Sequence, residues 1–513
     1  MVSRATKPRF ADRVAGWFGF ERSKPARSVG AYQQGYQGAR RDRLTSEWNP
    51  GNLTPDVLHR QDGRLLRERA RDLVENNPMA KAAVKAYVAN VVRCGIMPKP
   101  IAVEGEQQEA WLRWWNAWTS RDADLTRVQH FNEMQKLFLE EVIVGGGCLV
   151  HFVYLPASKA RKRRLPLTVE LIPEERFCEE GDMAGLSMGG RLKNGNRFVR
   201  GVEIDQLTGE HVAYWVKQGL PNDIYAIKED PLRLPAEQCV YAFNRTRIGQ
   251  NRGITLLAPV ISWLAKLGYY TDNELMASAI RSCFALMIKT EGDTWTGVEG
   301  PSDSPTSDVN GNATDRIEPG MISHLRPGEE VTPCGPNIPP GDSQTWIKLI
   351  QRSIAVGMDL SYFGMMRDTA DSNFAGFRAG LNEDRSRYEM LQDFTTFKLV
   401  QPTYERFVSA SSTAGIEGFP RPSVYSGDPD GWVAAEYQYP GWVSVAPLDD
   451  AKADEINVKN GFDSRTRIVS RRGESVREVF RELGEEKVLA EQHDIEITAE
   501  PPAAETISSE DRP

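Results

Sequence analysis

Residues 64–100 read RLLRERARDLVENNPMAKAAVKAYVANVVRCGIMPKP. Leu65, Leu66, Ala70, Leu73 and Val74 recur at helical spacing among Arg, Glu and Asp until Asn77-Pro78 interrupts the pattern. An Asn at an N-cap accepts from the free amides of a new first turn, and a Pro at the first helical position has no amide to leave unsatisfied, so the pair restarts a helix. The second helix puts Ala82, Ala83, Ala86, Tyr87, Ala89 and Val91 on its packing side, and Gly95 with Pro98 stops it. Two helices are expected to meet at a fixed corner. That grammar alone describes a helical hairpin in any large domain and names no function.

The chain around this corner has 513 residues, too many for one ordinary core; about 150 residues per domain allows three or four units. With 40% hydrophobic and 26% charged residues it can build real cores. No run approaches the ~18 apolar residues of a membrane-spanning helix, and residues 1–43 lack the apolar stretch of a secretory signal. The reading is a chain cytoplasmic at synthesis, with no membrane partner. Cys94, Cys148, Cys178, Cys239, Cys283 and Cys334 are scattered without a CxxC pair, which predicts buried free thiols rather than disulfides or zinc. A net charge of −8 argues against a protein whose main task is gripping nucleic acid. The charge is uneven, basic over residues 1–50 and acid-rich after Asp449.

Along the chain, a polar arm with Trp17, Phe18 and Phe20 as its apolar knot precedes order near Val57. A Trp stripe (Trp111, Trp114, Trp115, Trp118) reads as a packing helix, and another helix spans Phe131 to Val144. Strands are expected at Cys148–Leu155, Leu167–Ile172, Phe198–Ile204 and His211–Val216, with a hairpin turn at Leu207-Thr208-Gly209-Glu210. One long helix is expected from Thr255 to Ile288, then a Gly/Ser/Asp/Pro-rich insertion over residues 291–320, then a helix from Ser343 to Gly357. A loop from Met358 to Gly376 leads into a single long helix from Phe374 to about Ala410 with one charged face. Thr466 and Ser475 are the candidate starts of the last helices.

Catalytic motifs are missing. There is no GxxxxGK[ST] loop, no HExxH, and no convincing Ser, His and Asp set. Gly145-Gly146-Gly147 lacks the Lys of a phosphate loop. The best basic patch is Lys159, Arg161, Lys162, Arg163 and Arg164, which reads as a solvated hairpin tip or, more sharply, as a contact for DNA or a partner protein.

Residues 69–100, with their RARDL…NNP helix running into an Ala-rich helix, resemble the portal proteins of lambda-type tailed bacteriophages, although Arg93-Cys94 stands before Gly95 where the family has a Gly turn. RIGQNRGITLLAP at 247–259, IAVGMDLSYFGMMRDTADSNFAGFR at 354–378, and Tyr439-Pro440-Gly441-Trp442 through Pro447-Leu448-Asp449 and Lys452 to Asn460 are further matches in the same order. The resemblance implies an α+β portal-type fold. Its expected parts are a mobile basic arm (1–55), an α+β wing (56–253), a stem helix (254–288), a clip (289–340), a second stem helix (341–358), a tunnel loop (359–376), a tunnel helix and wing return (377–440), a helical crown (441–493) and a disordered tail (494–513).

By the same resemblance, about twelve copies form a ring at one capsid vertex of the virion, assembled in the host cytoplasm, through which DNA is packaged and ejected. Met365, Met366, Arg367, Asp368, Thr369, Asp371, Ser372, Asn373 and Arg378 would line the channel. Asp303, Ser304, Asp308, Asn310, Asn312, Asp315 and Arg316 would dock partners at the clip. The implied partners are copies of itself, the terminase large subunit, the major capsid protein and scaffold, head-completion and tail proteins, and double-stranded DNA. No cofactor, metal or enzymatic activity is implied. The competing readings are a metal-dependent DNA-processing enzyme and a non-portal structural head protein.

Overall fold

A computed structural model describes residues 50–183, 187–188, 190–220, 230–283, 287–288, 306–307, 313–314, 323–324, 343–368 and 373–493. The chain divides into two compact units, Met1–Leu53 and Thr54–Pro513. Only residues 50–53 of the first fall within the described set, so the predicted arm lies outside it, as does the tail past residue 493.

In the second unit the decisive corner forms as its residues dictate. Helix α1 (Pro55–Asn76) ends at Asn77, whose side chain accepts from Met79 N at 3.0 Å and Ala80 N at 3.2 Å to start α2 (Pro78–Val91). The buried side of α2 is Ala80, Ala83, Val84, Ala86, Tyr87, Val88 and Val91; Ala89, expected there, faces out. Gly95 takes φ +105°, a conformation that favours glycine. Strand β1 (Met97–Pro100) and helices α3 (Glu106–Thr119) and α4 (Phe131–Val144) follow.

Strands β2 (Gly147–Tyr154) and β3 (Leu167–Pro173) form a hairpin whose long connection carries the single turn α5 (Ala157–Ala160). A second sheet is an antiparallel meander of β4 (Ser187–Met188), β5 (Arg191–Leu192), β6 (Arg197–Val199), β7 (Val202–Ile204), β8 (His211–Val216) and β9 (Leu232–Pro235). The single strand expected over Phe198–Ile204 is thus a hairpin, turned by Arg200 at φ +46° and Gly201 at φ +88°. The turn before β8 is as expected, with Gly209 at φ +75° and Asp205 accepting from Leu207 N and Thr208 N. Strand β10 (Cys239–Phe243) joins β2 on the edge opposite β3.

Helix α6 (Ile261–Cys283) begins six residues later than expected, because Thr255–Val260 are taken up by turns. Its 23 residues span about 35 Å. Two-residue pairings link 287–288 with 323–324 and 306–307 with 313–314; the rest of the insertion lies outside the described residues. Helix α7 (Ser343–Gly357) is where it was expected.

The loop after it contains a short helix, α8 (Tyr362–Met366). The long helix then expected forms and runs on to Thr413, but its regular ladder is interrupted. It runs as α9 (Phe374–Thr395), a π-turn at Thr396–Val400, and α10 (Gln401–Thr413). Pro402 has no N–H for Lys398 O, so the i→i−4 ladder must loosen there. The Thr396 hydroxyl donates to Gln392 O and the Thr403 hydroxyl to Leu399 O, which satisfies carbonyls around the break. Strand β11 (Ala435–Gln438) returns to pair with β1, and helices α11 (Pro447–Lys459), α12 (Arg465–Arg471) and α13 (Val476–Gln492) complete the chain. Ser464, not Thr466, caps α12 by accepting from Arg467 N.

Three cores result. Trp111, Trp115, Trp118, Phe131 and Phe138 pack with Tyr404 and Phe407 of α10 against β2 and β3. Ala70, Ala83, Tyr87, Leu264, Ile354 and Tyr388 join α1, α2, α6, α7 and α9. Phe177, Val202, Tyr214 and Tyr241 fill the space between the two sheets. Cys148, Cys178 and Cys239 are buried thiols as expected, whereas Cys94 is exposed at the end of the corner.

Candidate functional site

Two of the stretches singled out in the sequence meet in one buried polar node. Arg71 on α1 forks onto Glu141 of α4 (2.7 and 3.0 Å) and onto Glu175. Arg67, one turn earlier, donates to Gly145 O at 3.3 Å. From the other stretch, Gln250 holds its own turn by accepting from Thr246 N at 3.0 Å and donating to Arg252 O at 2.7 Å. Arg252 pairs with Glu174, their side chains 1% and 0% exposed, and lies over the Phe177 ring at 4.3 Å. Burial alone would raise the Glu174 carboxyl, but Arg252 and Arg67 override it and hold it at about 2.

Gly253 has to be glycine for packing reasons, since a Cβ there would overlap Gly146 O. Gly146 in turn sits at φ +97° against Gly253 and Ile254. The Gly145-Gly146-Gly147 run is therefore a close backbone crossing. Fully buried at Arg252 and Glu174 and part-buried at Arg71, the node ties α1, α4, the sheets and the approach to α6 together. Removing one partner of such a buried pair costs about 3–5 kcal/mol.

The loop and helix expected to line a channel are partly described. Ser361 starts α8 by accepting from Gly364 N, and its own N and Oγ donate to Asp384 of α9 at 2.7 and 2.6 Å. Burial pushes the Asp384 carboxyl above the usual carboxylate range, with the Ser361 bonds opposing. Met365 is 1% exposed and packs into the second core, so its expected place on a channel wall is corrected: the α8 turn points it inward. Met366 is half-buried against the same core. Arg367 caps α8 in the left-handed conformation with its side chain exposed, and Asp368 accepts from the Tyr362 hydroxyl at 3.3 Å. Asn373 starts α9 by accepting from Gly376 N at 2.7 Å.

Arg378 is engaged within its own chain, paired with Asp450 of α11. Thr369, Asp371 and Ser372 lie outside the described residues. So do Asp303, Ser304, Asp308, Asn310, Asn312, Asp315 and Arg316. Beside the loop lies an open cleft of about 330 Å³, walled by Phe363, Arg367, Phe377, Arg385, Tyr388 and Trp442. Among the described residues no group of three or more His, Cys, Asp or Glu is placed to hold a metal ion, and no helix is long and apolar enough to cross a membrane.

Buried charge is spent on ties between elements, and two of the sequence motifs meet at those ties. Residues 41–392 match the family described as phage portal protein, lambda family, and the chain belongs to that family. A portal protein function goes with that membership. The "Probable portal protein" of Halomonas phage phiHAP-1 is 24% identical over 498 residues, covering 95% of this chain and 92% of that protein. "Portal protein B" of Escherichia phage lambda is 18% identical over 466 residues, 84% of this chain and 85% of its own length. Among solved structures, a chain in the neck of a native GTA particle computed with C12 symmetry superposes with a TM-score of 0.37 at 11% identity, covering 79% of this chain and 97% of that one. Superpositions that loose do not by themselves establish a common fold.

Proposed function

We propose that about twelve copies of this chain close into a ring at one vertex of the phage head. DNA is driven inward through the central channel by a separate terminase and later leaves by the same route, and head-completion and tail proteins attach to the same ring. The observation that carries this reading is the lambda-family portal match over residues 41–392. In this reading the α+β body with its two sheets is the wing, α6 and α7 are the stem, residues 289–340 form the clip that docks the terminase, and α11 to α13 form the crown. The role is structural rather than enzymatic, in the virion and in the host cytoplasm during assembly.

The channel lining proposed here is Arg367, Asp368, residues 369–373 and the start of α9, without Met365. Asp368 and Asp371 there offset Arg367 and Arg378, so the lining carries no net positive charge that would bind phosphates through counterion release and slow a polyanion. Heads carrying D368K or D371K subunits are expected to package nuclease-protected DNA more slowly than wild type, most strongly at low salt. Equal packaging rates for both substitutions would remove the charge-balanced channel from the account and leave the portal assignment standing.

A further inference from the structure

The connection between β2 and β3, residues 155–166, carries Lys159, Arg161, Lys162, Arg163 and Arg164 and no acid. The fold divides these cations between two tasks. Arg163 and Arg164 are tethers. Arg163 donates to Asp122 O, Asp124 O and Leu125 O at 2.9, 2.8 and 2.7 Å, and Arg164 reaches Ala117 O at 2.8 Å and Asp122 at 3.4 Å.

The facing loop is equally fixed. Buried Asp122 pairs with Arg127 at 2.9 Å and accepts from Arg164 N. Buried Asp124 accepts from Thr126 N, Val128 N and Gln129 N at 3.1, 2.9 and 3.1 Å. Backbone bonds from Leu125 N to Val169 O and from Val169 N to Ala123 O sew that loop to β3. Both acids of the region are therefore consumed inside it.

Lys159, Arg161 and Lys162 are left outside, exposed, with no ionic partner among the described residues. This is a concentrated positive tip on a rigid base, in a chain whose net charge is −8. Its large exposed apolar side chains are Val128 and, at the end of β2, Tyr154. Two such side chains fall short of the apolar centre that a protein interface needs. A phosphate backbone, read as charge alone, needs no such centre.

We propose that this tip is a sequence-independent contact with the backbone of duplex DNA, separate from the loop and helix proposed to line the channel. It rests on the portal reading only in that the chain then works beside packaged DNA. The test is fluorescence anisotropy of a labelled duplex of about 30 base pairs with the purified full-length chain, across a salt series, for wild type, R161E/K162E, R161Q/K162Q and a distant control, K193E. Arg163 and Arg164 stay in place, and thermal melts report whether each variant folds.

The expected result is a loss of about tenfold or more in affinity for R161E/K162E. R161Q/K162Q should lower the slope of log affinity against log salt by about 1.8, and K193E should behave as wild type. Wild-type affinity and slope in both tip variants would overturn the proposal, as would wild-type protein that fails to bind duplex at about 50 mM salt. If the tip variants bind DNA normally but fail to close into rings, the tip meets an acidic protein surface and the DNA contact is wrong. Electron microscopy of the same samples separates that failure from failure of the portal reading, because wild-type rings can form whether or not the tip binds DNA.

Discussion

His59 sits between two hydrogen bonds that fix its proton. Arg200 can only donate, so Nδ1, 2.6 Å away, accepts, and Nε2 carries the hydrogen toward Gly253 O at 2.7 Å. Burial first, then Arg252, lower its pKa from 6.5 to about 3. Because the folded value lies below the unfolded one, the unfolded chain binds the proton first as pH falls. The contribution of neutral His59 is present above about 6.5 and lost progressively down to about 3. Glu141 has the opposite sign: burial, opposed by Arg71, raises it from 4.5 to about 7, so its contribution is present below about 4.5 and lost as pH rises through 7. The windows overlap, so the total stability does not isolate either residue, but a paired comparison does. His59→Gln keeps a donor and an acceptor without titrating. It is expected to melt below wild type at pH 7 and to lose most of that deficit by pH 4; an equal gap at both values would show that His59 does not titrate with unfolding. Little of this could be read from the sequence, in which His59 is an isolated histidine 194 residues from Gly253. The Asn77-Pro78 restart was readable because all its partners lie within three residues.

At the scale of elements, local signals succeeded where one residue decides a local geometry, and failed where two signals compete. Periodicity found the helix from Phe374 to about Ala410 but not the π-turn that Pro402 imposes within it. Arg200-Gly201 similarly marked a turn inside a run that alternated like one strand. The C-terminal helices differ from the rest in how they are held. Helices α11 and α12 bury no residue and α13 buries only Ala490. They are fastened through β1–β11, the Arg378–Asp450 pair, and the Arg385 bond to Val443 O at 2.9 Å. Elements with so little buried surface open at low cost. In an unassembled subunit, amides of α11 to α13 are expected to exchange at least about a hundredfold faster than those of α2 and α10. R378E should speed exchange in α11 further while leaving α2 unchanged, and R378D/D450R should restore it. Uniform protection across the chain would contradict this view of the C-terminal segment.

Over the whole molecule, much apolar surface is left open: Trp263, Tyr269, Leu275 and Met276 on α6, Trp346, Leu349 and Val356 on α7, and Phe480, Leu483, Val488 and Leu489 on α13. Copies packed around a closed symmetry axis would cover such side chains. Most of the helices and the strands near Cys148–Leu155, Leu167–Ile172 and His211–Val216 were readable from periodicity, whereas β1, β9, β10 and β11 were not. The node that joins Arg71 to Glu175 and Arg252 to Glu174 was not, since its members lie 104 and 78 residues apart. The central claim is that this subunit closes into a portal ring, and electron microscopy of the purified protein with native mass measurement tests it most directly. The account expects closed rings of about a dozen subunits around a hole at least about 20 Å wide, enough for a B-form duplex. A monomer that persists across salt and concentration, or closed shells without a central hole, would contradict it.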